Sequence, residues 1–256
     1  MSNILFSILL LPILANPSPP SPEVLLKIEQ FNQNVDKIVT ISATTNCVGI
    51  QNGRSVESRG LLLYQKNEPH SNFRMVNNGT ILANRKVLDV GSNPIEFWFW
   101  SQRLKPPTLL WCRYADMARA RELTTLNPLF LENILSVKKI NTTNILQAAK
   151  PGKDLILQSQ EKLLNGEDVF KLTTLDGQFR ITGYYYYNQS KQLLSKAVIH
   201  NWYRYENVNI PRNINMEWFT EGIQVQLQLS NFSVNKRIGE QNFRKPAISP
   251  SRNLAQ

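Results

Sequence analysis

Apolar and polar residues alternate most cleanly from Ile223 to Leu229. Ile223, Val225, Leu227 and Leu229 share one face of an extended chain, while Gln224, Gln226 and Gln228 share the other. This predicts a strand in a sheet with one apolar and one wet side. Beyond Ser230-Asn231 the apolar phase passes to Phe232 and Val234, which predicts a bulge. Similar segments, each bounded by Asn, Gly, Pro or Ser, run from Ile38 to Tyr114 and again from Asp154 to Thr220. Asp176-Gly177 is a strong hairpin signal among them. The turn spacing predicts about ten or eleven antiparallel strands. Two stretches carry helical spacing instead. Val24, Leu25, Ile28, Phe31 and Val35 recur as on one helix face, with Ser21 as N-cap ahead of Pro22. A short helix is predicted after Asn127-Pro128. The pattern thus makes the chain mainly β, an α+β protein. Periodicity alone leaves a single curved sheet, a closed barrel and a sandwich open.

One strand breaks the half-wet pattern. Ile95 to Trp100 alternates as Ile95, Phe97 and Phe99 on one face and Glu96, Trp98 and Trp100 on the other, so large aromatics lie on both sides. Both faces then need cover. Glu96 marks the side nearer water, which places Ile95, Phe97 and Phe99 on the inward side. On the next strand Arg113 sets the outward phase with Leu109 and Trp111, leaving Leu110, Cys112 and Tyr114 inward. Trp98, Trp100 and Trp111 form an outer patch to be covered by a loop, a partner or membrane headgroups. The run Tyr184 to Tyr187 is likewise aromatic on both faces, as strand propensity alone allows.

Charge and composition narrow the class. The chain of 256 residues carries 29 Lys and Arg against 19 Asp and Glu, a net charge of +10, without a dense basic tract. Spread as singles and pairs, these charges read first as a solvated basic surface; a membrane-facing rim comes second and nucleic acid third, because no nucleic-acid-reading motif is present. Residues 1–15 are an apolar leader resembling an export signal, with an uncleaved anchor as the alternative, followed by a Pro-rich linker over 16–22. No Cys follows the leader, so no lipid-attachment site is expected. Cys47 and Cys112 are the two cysteines, equally consistent with one disulfide or two buried thiols. With only His70 and His200, a Cys/His zinc site is not expected. No nucleophile, metal-protease or phosphate-loop motif occurs, and both histidines read as loop or strand-surface residues. No catalytic residue is assigned.

The segment Val87 to Met117, with its Gly91-Ser92-Asn93 turn and Glu96-Phe97-Trp98-Phe99-Trp100 strand, resembles predicted exported proteins, chiefly planctomycete, of the outer-membrane lipoprotein carrier (LolA/LolB-like) superfamily. The end, Asn207 to Pro246, is similar to that superfamily's last strands, closing on Phe243-x-x-Pro246. The resemblance covers most of Asn34 to Pro246 and departs at Ile140 to Asn188, which carries no shared motif. It implies a LolA/LolB-like domain over 23–246, with a disordered tail over 247–256. It further implies a strongly curved antiparallel sheet forming an unclosed β-barrel, an N-terminal helix, a short helical lid, and an apolar cavity for acyl chains.

On that basis the ligand-contacting residues are expected to be Ile95, Phe97, Phe99, Leu110, Tyr114, Leu129, Phe130, Ile134, Ile223, Val225 and Leu227. The resemblance implies no cofactor and no catalysis. The expected partner is a lipid or an acylated lipoprotein, with an anionic membrane surface or an envelope protein beside it, in the periplasm or cell envelope. The alternative is an envelope interaction or sensor module that reuses the fold with a filled core.

Overall fold

The computed structural model describes residues 19–68, 70–80, 85–119, 128–149, 154–162 and 168–255. The apolar leader lies outside these residues. The N-terminal helix α1, Pro22–Asp36, starts where predicted: the Ser21 hydroxyl accepts from the Val24 N–H, and Pro22 opens the first turn. It buries Val24, Ile28, Asn32 and Val35, while Leu25 is turned out.

Six strands follow as an antiparallel meander: β1 (Thr40–Gln51), β2 (Arg54–Gln65), β3 (Asn72–Gly79), β4 (Lys86–Ser92), β5 (Glu96–Ser101) and β6 (Leu109–Arg113). The short helix α2, Pro128–Ile134, leads to a second meander. This comprises β7 (Ile145–Ala149), β8 (Leu155–Lys162), β9 (Asp168–Leu175), β10 (Ile181–Tyr187), β11 (Leu193–Tyr205), β12 (Val208–Trp218) and β13 (Ile223–Val234). The meanders join where β13 pairs antiparallel with β1. A final strand, β14 (Ser251–Asn253), lies parallel to β6. The result is one unclosed sheet in the order β14-β6-β5-β4-β3-β2-β1-β13-β12-β11-β10-β9-β8-β7.

The unclosed, mainly β architecture is as expected, with 14 strands among the described residues in place of the ten or eleven read from turn spacing. The tail after Ala247, expected to be disordered, instead supplies β14. The reason is local: β6 presents an unpaired edge, and Leu109 donates its N–H to Pro250 while Leu254 donates to Trp111. The predicted bulge is present. Register passes from Ser42 opposite Ser233 to Thr44 opposite Ser230, so β13 carries an extra residue, and Asn231 takes the positive φ of 51°.

The outer cover of the two-faced strand is the chain's own C-terminal segment. Trp98 and Trp111 are paired on the outer face of β5 and β6. Across them runs the segment from Gly239 to Lys245. Arg74 donates to the Asn242 carbonyl at 2.9 Å and the Asn93 amide to the Phe243 carbonyl at 3.4 Å. Lys245 sits 3.4 Å from the Trp111 ring centre and 2.7 Å from a Glu96 carboxylate oxygen.

Beneath this strap, Asp89 is wholly buried and accepts from Arg74, Lys86 and the Trp98 indole. Burial alone would raise its carboxyl, but those three donors outweigh it and hold Asp89 below the ordinary carboxylate range. Trp98 can reach Asp89 because Gly91, its cross-strand partner, leaves the room: a Cβ there would lie 2.4 Å from the indole ring. Gly91→Ala should therefore displace Trp98 and lower stability by about 1–3 kcal/mol, the usual range for overpacking. Denaturant midpoints with tryptophan emission check this; an unchanged midpoint would contradict the close packing.

Candidate apolar cavity

Cross-strand register identifies the inner face row by row. Ile41, Tyr64, Phe73, Ser92, Phe97 and Cys112 form one row. The next is Ala43, Leu62, Met75, Val90, Phe99 and Leu110. Then come Thr45, Gly60, Asn77 and Leu88, and last Cys47 with Ser58 and Gly49 with Val56. The first row packs as solid core. Toward Gly49 the side chains shrink and a hollow opens.

The cavity measures about 730 Å³, within the range of small-molecule sites. Its apolar wall includes Met75, Val90, Phe99, Leu110, Met216 and Val225, with Leu131 of α2 reaching in. The charged residues of its lining, Arg103, Lys105 and Glu221, stand at its rim. A Cβ built on Gly49 would meet no atom within 4 Å, so empty space lies directly in front of that strand position. Behind the wall at Ser58, polar groups satisfy one another: Thr45 donates to Asn77 at 2.7 Å, and Asn77 donates to Ser58 at 3.1 Å.

The predicted contact residues divide among several places. Phe99, Leu110, Ile223 and Val225 line the cavity. Leu227 is buried in the main core just beyond Val225. Phe130 packs between Tyr186 and Trp218, with ring centres 5.3 and 5.4 Å away, and Ile134 is buried beside it. Phe97 does face inward, but it joins Cys112 in a separate cluster with Tyr114 and Leu254. Tyr114 begins a 3₁₀ turn and stacks on His70 at 3.7 Å.

Ile95 is the clear correction. It precedes β5 and is 67% exposed, because the Asn93 side chain caps the turn by accepting from the Ile95 and Glu96 N–H groups and so fixes the strand's start after Ile95. The side chain of Leu129 lies outside the described set. Sequence reasoning missed Gly49, Met75, Val90, Leu131, Met216 and Trp218. The last two lie in the inner phase of β12, paired with Val225 and Ile223, so strand pairing would have identified them.

Both cysteines are free and buried, Cys47 in the cavity wall and Cys112 in the separate cluster. Burial pushes the Cys47 thiol up to about 11. His200 is exposed, with Nε2 3.1 Å from the Asn215 amide. Tyr184 and Tyr186 face the core, whereas Tyr185 and Tyr187 pack outside with Ile156 and Leu172.

The segment carrying α2 is pinned to the rest at both ends. Asn32 of α1 holds both backbone groups of Ile140, donating at 2.9 Å and accepting at 2.8 Å. At the other end Glu132, 3% exposed, meets the Ser92 hydroxyl at 3.3 Å. That hydroxyl also lies 3.2 Å from the Ser71 carbonyl. A hydroxyl has one proton for two acceptors, so a protonated Glu132 can donate to Ser92 while Ser92 donates to Ser71.

Three solved structures share this architecture. A DUF1329 family protein from Desulfovibrio piger superposes with a TM-score of 0.59 at 10% identity, covering 89% of this chain and 98% of that one. A LolA superfamily protein from Nitrosomonas europaea gives 0.53 at 14% identity, covering 85% and 97%. The chain has a LolA-like fold. An outer membrane lipoprotein-sorting protein domain from Vibrio parahaemolyticus also gives 0.53 at 14% identity, covering 86% and 94%. No family profile matches the sequence, and no match was found among curated proteins.

In this LolA-like chain burial drives Glu132 up to about 7, against the smaller downward pull of Lys138 and Ser92. Tyr64 and Tyr114 lie within its electrostatic reach. A carboxyl raised on folding binds its proton more tightly in the folded state. Stability is then greatest below the unfolded value near 4.5 and declines until pH passes about 7. Glu132→Gln should remove a loss of about 3 kcal/mol across that window. Denaturant midpoints at pH 5 and pH 8 check it: the two proteins should diverge far more at the higher pH.

Proposed function

We propose that this protein is an exported, non-catalytic carrier that holds an acyl chain of a lipid or lipoprotein in the cavity beneath α2. The observation that carries the reading is the open space at Gly49, in a cavity also lined by Val56, Met75, Phe99 and Val225. A sheet that only needed a filled core would place a larger β-former there, since glycine in a strand interior weakens it. The LolA-like fold of a lipoprotein-sorting domain supports the same reading. Each methylene moved from water into such a space contributes about 0.8 kcal/mol. Leu131 on the short helix gives the cavity a cover that can swing aside for loading and release. The apolar leader and the basic surface fit an envelope protein working near anionic membranes.

Gly49→Leu tests the reading, because its side chain has room to enter the hollow without displacing backbone. Binding is read from quenching of tryptophan emission by a spin-labelled stearic acid. The natural chain should bind with an association constant of at least about 10⁴ M⁻¹, the value for one myristoyl chain on a bilayer. The variant should lose about tenfold or more of that affinity, with an undiminished folding midpoint. Equal binding by both proteins, or none by the natural chain, would overturn the reading.

A further inference from the structure

We infer that the cavity selects acyl amphiphiles with an anionic head, a carboxylate or phosphate held at the mouth by Arg103 and Lys105. This inference rests on the carrier reading and names the ligand's other end. The turn between β5 and β6 carries Arg103, Leu104 and Lys105, and all three line the mouth. Its geometry is set at the root, where the Arg103 N–H donates to the Ser101 hydroxyl at 3.2 Å. Among the described residues neither cation enters an ion pair, although elsewhere Lys66, Lys196, Arg180 and Lys245 all find carboxylates.

The mouth's acid is Glu221, in the turn after β12, and it accepts from the neighbouring Thr220 hydroxyl. Two cations against one acid leave the mouth positive. Behind them the wall turns apolar at Leu88, Phe99 and Leu110.

The two ends of the site therefore ask for opposite chemistry. A charged head cannot follow its tail inward, because stripping its water costs several kcal/mol per ion. The head stops at the mouth, where a guanidinium and an ammonium offer charge-assisted hydrogen bonds to an oxyanion. A neutral or choline-bearing head gains less there. The contact is partly exposed, so its contribution should weaken as salt rises.

Three probes of equal chain length separate head from tail: myristate, 1-myristoyl lysophosphatidylglycerol and 1-myristoyl lysophosphatidylcholine. Each competes with the spin-labelled stearate on the full chain and on Arg103→Glu/Lys105→Glu. One or both anionic probes should bind the natural chain about tenfold more tightly than the choline lipid, the effect of one such contact at an open rim. The better of the two shows whether a carboxylate or a phosphate is preferred. The double variant should lose that preference and still bind the choline lipid. Equal affinity for all three in the natural chain, or a preference surviving in the variant, would overturn the head-group assignment and leave the carrier reading intact. Failure of every probe to bind the natural chain would instead remove the carrier reading and this inference with it.

Discussion

Everything in this fold follows from how the inner face of an unclosed sheet is filled. A strand sends every second side chain inward, so the bulk along one phase sets how much room remains. In β1 the inner residues run Ile41, Ala43, Thr45, Cys47, Gly49, and in β2 Tyr64, Leu62, Gly60, Ser58, Val56. At the Ile41 end, large side chains meet α1 and close the core. At the Gly49 end there is little to pack, and the sheet's curvature is left holding a hollow. The taper is a property of the amino-acid order along single strands, not of any loop.

The outer face is governed by a different constraint, the burial of a charge. Asp89 is wholly enclosed and survives there because three donors converge on it. Arg74 also reaches the Asn242 carbonyl, so the buried carboxylate is linked directly to the C-terminal strap. Lys245 closes the arrangement from outside, between Glu96 and Trp111. The four-aromatic strand therefore has a packed cluster and the cavity wall on one side and the C-terminal strap on the other.

Much of this was legible in the sequence, for physical reasons. Alternation gave the strands, the Ser21-Pro22 start of α1 and the bulge at Ser230-Asn231, because each is a local consequence of residue type. The inward phase of Phe97 and Phe99 was readable from Glu96. Their separate fates were not: Phe97 sits in the packed row with Cys112, while Phe99, one row nearer Gly49, reaches the hollow. That distinction depends on which strands lie opposite, which a linear pattern does not carry. Ile95 was misplaced because the Asn93 cap fixes the strand's start, a side-chain contact invisible to periodicity. The Asp89 cluster, also a set of side-chain contacts, was hidden for the same reason, and the β14 edge because its partner β6 lies far away in the chain.

The cover over the hollow follows from the smallness of α2. Seven residues cannot hold a helix by their own propensity, so its position depends on tertiary contacts: Phe130 against Trp218 and Tyr186, Glu132 against Ser92, and Asn32 gripping Ile140 downstream. The sheet does not share that dependence, because its ladder is continuous beneath the helix from β14 to β7. Loosening the helix therefore leaves the walls standing. Of these attachments, the one at Ile140 is a pair of backbone-to-amide bonds indifferent to pH, whereas at Ser92 proton loss leaves a buried carboxylate whose desolvation the Ser92 hydroxyl offsets only in part. The helix that presents Leu131 to the cavity is thus held by one contact indifferent to pH and by another that carries a titratable group.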